Sequence, residues 1–88
     1  MKHEELYRHL KELAEKLGIR FYEKNFRIPG LSVKSGLCRI EGTWHFYMDK
    51  HLKVREKTEV LAQAFHDFPI DDVYIIPAVR EYIDKNRS

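Results

Sequence analysis

Leucines recur at Leu6, Leu10, Leu13 and Leu17, on one side of a 3.6-residue period that Tyr7 and Ala14 widen. The spacing predicts a helix over His3–Leu17, stopped by Gly18, because a helix C-terminus favours a residue that tolerates positive φ. The period then falls to two. Ile19, Phe21 and Glu23 alternate with Arg20, Tyr22 and Lys24, which predicts a first strand.

Pro29-Gly30 breaks the pattern and predicts a turn inside a loop over residues 25–34. Two further strand-like runs, Gly36 to Ile40 and Thr43 to Met48, flank Glu41-Gly42. A two-residue turn there sets the register: Ile40 opposite Thr43, Arg39 opposite Trp44, Cys38 opposite His45 and Leu37 opposite Phe46. Alternation then separates two faces. Leu37, Arg39, Trp44, Phe46 and Met48 share the one better suited to a core, and Cys38, Ile40, Thr43, His45 and Tyr47 share the other.

After a turn at Asp49-Lys50-His51, Val54, Thr58, Leu61, Phe65 and Phe68 fall on one helical stripe with Ala64, uninterrupted until Pro69. The run 70–76 suits a strand or a short buried helical turn, and the helical turn is preferred, with Asp71 and Asp72 as capping residues. Pro77 fits the first position of a last helix whose apolar side is Val79, Tyr82 and Ile83, with Asn86 to Ser88 fraying. The expected fold class is α+β in the order α-β-β-β-α-α: a three-stranded antiparallel sheet with three helices packed mainly on one face.

Eighty-eight residues, 43% hydrophobic and 34% charged, allow one core, so residues 1–88 form a single domain. One cysteine excludes an internal disulfide and suits a reducing compartment. The N-terminus carries acids and histidines where a signal peptide needs an apolar core, and no run approaches the roughly 20 apolar residues of a membrane span. The expected location is cytoplasmic, with no membrane partner. The net charge of +2 is unevenly spread: residues 20–57 hold nine bases and four acids, a net of +5, and residues 58–88 hold three bases and six acids, a net of −3. Basic middle and acidic end attract each other within one fold or between two copies.

Five histidines raise the question of zinc, with Cys38, His45, His51 and His66 as the one set containing a natural cross-strand pair. His3 and His9, six residues apart, lie about 240° apart around a helix and cannot grip one ion. Solvated histidines are the preferred account, and no cofactor is expected. Cys38 and His45 also have the residue types of a thiolate and base, with Tyr47 beside them, but nothing in the chain supplies an oxyanion hole or a cleft. A half-buried structural cysteine is preferred, so the chain leans away from an enzyme. Bases interleaved with aromatics, above all Arg20, Lys24, Arg27, Arg39 and Trp44, form the pattern of a weak nucleic-acid-binding sheet. A solvated basic face is preferred to it. No GxGxxG, P-loop or HExxH is present.

The run SGLCRIEGTWHFYMDKHLKVREKTEVLAQAFHDF, over Ser35–Phe68, resembles the core around the active helix of the ImmA/IrrE-type zinc peptidases, where a hairpin and a polar stretch precede a helix bearing HExxH. On that resemblance Gln63-Ala64-Phe65-His66-Asp67 occupies the place of the motif. It puts Gln63, Ala64 and Asp67 where the first His, the Glu and the second His belong. The resemblance implies a degenerate zincin-like scaffold and transfers no site residue. The preferred functional reading is a non-catalytic protein-interaction or regulatory module. Its partner is another protein or a second copy of the chain, and open strand edges and surface rings are the features that motivate it.

Overall fold

The computed structural model describes residues 1–25 and 36–86. The expected Pro29-Gly30 turn, Phe26, Arg27 and the last two residues lie outside them.

Helix α1 spans His3–Lys16, followed by strand β1 (Arg20–Lys24), β2 (Gly36–Ile40), β3 (Thr43–Asp49), helix α2 (Val54–Ala64), a 3₁₀ turn (Phe65–Asp67) and helix α3 (Pro77–Lys85). The expected α-β-β-β-α-α order holds. α1 ends as its sequence requires. Gly18 adopts φ 78°, its N–H bonds the Glu15 carbonyl at 3.0 Å, and the Ile19 N–H reaches back to Ala14 at 2.9 Å. This is a Schellman closure, and buried Ile19 packs with buried Leu13 and Ala14 beneath it.

The hairpin has the register that the turn dictates, from Ile40 opposite Thr43 to Leu37 opposite Phe46. Glu41 (φ 50°) and Gly42 (φ 82°) both take positive φ, the signature of the turn whose twist matches paired strands. The sheet, however, is mixed rather than antiparallel. Its order is β1-β3-β2, with β1 running parallel to β3. A strand joined to the next by a short turn must pair with it, but eleven residues separate β1 from β2, so that constraint is absent. β3, the longest strand among the described residues and the one with fully buried Phe46 and Met48, takes the centre.

Two other expectations need correction. The second helical stripe runs on to Phe68, yet the α-helix ends at Ala64 and tightens into the 3₁₀ turn, because Pro69 drives the preceding Phe68 into an extended conformation (φ −118°, ψ 143°). Residues 70–76 form neither helix nor strand. They make one turn, with the Val73 N–H on the Ile70 carbonyl at 3.3 Å, and then run extended into Pro77. Asp71 and Asp72 are exposed within that turn and cap nothing, since α3 begins from Ile76. Pro77 itself does open α3.

The core joins Leu6, Leu10, Leu13 and Ala14 of α1 to Phe46 and Met48 of β3, Leu61 and Ala62 of α2, Phe65, and Val79 and Ile83 of α3. Burying a side chain of this kind is worth about 1.5–3 kcal/mol, so the shared apolar faces hold the layers together. Among the described residues Thr58 is the one fully buried polar side chain. Its hydroxyl donates to the Arg55 carbonyl at 2.7 Å and accepts from the Tyr82 hydroxyl at 2.9 Å. Arg80 ties the irregular segment down, donating to the Ile70 carbonyl at 3.0 Å and the Val73 carbonyl at 2.8 Å.

Candidate interaction surface

Alternation along the strands sends Phe46 and Met48 into the core, so the opposite face of β3 presents Thr43, His45 and Tyr47. Parallel pairing adds β1 to that face: Arg20 lies opposite His45, Tyr22 opposite Tyr47 and Lys24 opposite Asp49. β2 adds Cys38 beside His45 and Ile40 beside Thr43, while Gly36 lies opposite Tyr47 and contributes no side chain.

The rings form one three-membered cluster. Tyr22 and Tyr47 stack with centroids 5.1 Å apart and planes at 15°, and Tyr22 and His45 lie at 5.9 Å and 14°. His45 and Tyr47 are 6.4 Å apart at 16°, and the Lys24 ammonium sits 5.7 Å from the Tyr22 centroid. Each ring is half-buried. Such offset stacks contribute roughly 0.5–1.5 kcal/mol beyond area alone.

Cys38 and His45 are therefore neighbours across β2 and β3, as their spacing predicts. Cys38 is a free, half-buried thiol. The Nδ1 of His45 is buried and has no hydrogen-bond partner among the described residues. A nucleophile's base needs an orienting acceptor on its second nitrogen, and none of the described groups provides one here. Tyr47 contributes ring contact to this pair.

The four residues of the zinc set do not gather. His51 is exposed in the turn after β3, where its backbone N–H bonds Asp49 Oδ1 at 2.9 Å. His66 lies in the 3₁₀ turn and donates from Nε2 to the Ile83 carbonyl at 3.0 Å. Among the described residues no three His, Cys, Asp or Glu side chains converge as metal ligands.

The basic set is divided by the sheet. Arg20 and Lys24 stand on the face with the ring cluster, whereas Arg39 and Trp44 occupy the core-side face, where Trp44 packs edge-on against Phe68 at 5.1 Å and the Arg39 guanidinium lies 5.7 Å from its ring. Arg27 lies outside the described residues.

A feature absent from the sequence reading joins α1, β1 and α2. The Tyr7 hydroxyl donates to Glu23, and the Lys57 ammonium lies 3.5 Å from the same carboxylate. Lys11 and Lys57 stand 4.7 and 5.6 Å from the Tyr7 ring centroid, and Phe21 meets that ring edge-on at 6.1 Å. Burial pushes the Glu23 carboxyl up, but the Tyr7 hydroxyl and the charges of Lys57 and Lys11 outweigh it and hold the group below the usual range. Burial, with Glu23 as acceptor and neighbouring charge, holds the Tyr7 phenol well above its usual range. The alternation that put Glu23 on the core-side face of β1 is the signal that could have found this contact.

A recess of about 120 Å3 lies between α1 and the segment entering α3, with His9, Glu12 and Lys16 on one wall and Tyr74, Ile76 and Val79 on the other. Among the described residues no helix is long and apolar enough to cross a membrane. Comparison with protein-family models, curated proteins and solved structures finds no match.

Proposed function

We propose that the chain is a non-catalytic interaction module of the cytoplasm that binds a protein partner, a second copy of itself included, through the β2–β3 hairpin and the adjoining surface of α2. The observation that carries this reading is the outer edge of β2. The two-residue turn makes Ile40 and Thr43 a hydrogen-bonded pair, so alternation directs the backbone groups of Leu37 and Arg39 away from β3. Among the described residues no strand pairs with them, and Ile40 at the hairpin tip is 49% exposed. An edge of this kind is a template for strand addition.

In this reading the helices cover the Phe46 face of the sheet and leave the edge of β2 reachable. The ImmA/IrrE-like pattern is then a shared scaffold without hydrolysis, because Ala64, at the place of the catalytic Glu, has no group to activate water. Light scattering over a concentration series tests it, with Ile40→Glu and Leu37→Pro as edge-blocking variants. The expected result is a mass that rises with concentration in the wild type and stays monomeric in both variants. A wild-type monomer at high micromolar concentration, with no partner retained in a pull-down that the variants lose, overturns it.

A further inference from the structure

The ring-bearing face of the sheet carries two exposed cations, one of which, Lys24, lies against the Tyr22 ring. Arg20 and Lys24 are exposed on that face. The ion pairs among the described residues, Arg8–Glu12, His9–Glu12, Arg55–Glu59 and Lys57–Glu23, involve neither. Among the described residues of these strands Asp49 is the one acid on this face, and it accepts the His51 N–H at 2.9 Å.

We infer that this face binds single-stranded nucleic acid, with Arg20 and Lys24 meeting phosphates and the Tyr22–Tyr47–His45 cluster meeting bases. Charge complementarity selects a polyanion, and the rings select one whose bases are unpaired, because a duplex hides base faces from them. On the β2 side the residue opposite Tyr47 is Gly36, which adds no side chain to the rings. Arg39 and Trp44 play no part, since they lie across the sheet. The surface is also separate from the β2 edge, so either assignment can stand without the other.

Fluorescence anisotropy with a short labelled oligo(dT), a matching oligo(rU) and a duplex of equal length tests the inference. Two phosphate contacts to a single strand predict an affinity that falls about 7-fold between 50 and 200 mM salt. Lys24→Gln should weaken binding and reduce the logarithmic salt slope by about 0.7. Tyr47→Leu should weaken it at least about 5-fold, the low end of a lost stacking contact. Arg39→Gln should change nothing. No anisotropy change at 50 mM salt overturns the inference. So does a preference for the duplex, equal loss on Arg39→Gln, or indifference to Tyr47→Leu, which would mark a generic polycation. Tighter binding to vesicles of anionic lipid, or to an acidic peptide, would also overturn it. Lys24 is exposed, so its variant reports even if Tyr47→Leu unfolds the domain, and thermal unfolding of each variant identifies that case.

Discussion

The hydroxyl of Tyr7 on α1 donates to the carboxylate of Glu23 on β1, and this contact fastens the first helix to the edge of the sheet. Tyr7 is 7% exposed, and removal of its hydroxyl leaves the Glu23 carboxylate with Lys57 as its remaining partner. Tyr7→Phe should cost about 1–2 kcal/mol in urea unfolding at neutral pH.

The same pair gives stability a pH dependence with a definite sign. Glu23 is held below its usual range, so its contribution is complete above the unfolded carboxyl value of about 4.3 and fades as pH falls through the lower folded value. Tyr7 is held above its usual range, so its contribution is complete below about pH 10 and fades as pH rises beyond that. Glu23→Gln should flatten the acid limb, and Tyr7→Phe should flatten the alkaline limb. A series of urea midpoints across pH checks both.

Two positive-φ positions should respond in opposite directions. A Cβ on Gly18 would meet nothing within 4 Å, so Gly18→Ala pays the left-handed backbone cost alone, about 1–2 kcal/mol. Glu41 already bears that cost at φ 50°, and Glu41→Asn should raise stability by up to about 1 kcal/mol. Thermal unfolding of both variants reads the two signs side by side.

Arg80 is the anchor of the chain between α2 and α3. Arg80→Met removes both bonds to the Ile70 and Val73 carbonyls and should cost about 2 kcal/mol, with the loss concentrated in residues 70–76. Hydrogen exchange should quicken at Val73, whose N–H closes the turn, while α1 amides keep their protection.

Thr58→Val exchanges a hydroxyl for a methyl at a fully buried site and strands the Tyr82 hydroxyl. A loss of about 1–2 kcal/mol is expected, with the double variant Thr58→Val/Tyr82→Phe costing less than the two single losses combined. A double-mutant cycle in urea measures the difference.

Where local chemistry decides the structure, the chain is readable. Gly18 marks the end of α1, Glu41-Gly42 fixes every pair of the hairpin, and Pro77 opens α3. Where the decision depends on distant partners, it is not. The alternation of Arg20 to Lys24 says which side chains share a face and nothing about which strand lies alongside, so the parallel pairing with β3 is invisible until the fold is known. The candidate surface divides in the same way. Cys38 beside His45 follows from the turn, whereas Tyr22 beside Tyr47, and the separation of Arg20 from Arg39, follow from the position of β1. The premature end of α2 was available in principle, since Pro69 restricts Phe68 whatever the apolar stripe suggests.

The position of β3 between β1 and β2 also sets an order of assembly. The middle strand is the last of the three to leave the ribosome, so neither earlier strand has a ladder to join until Thr43–Asp49 exists. A nascent chain stalled before Thr43 should hold α1 alone, and both outer strands should gain amide protection in a single concerted step once β3 has emerged.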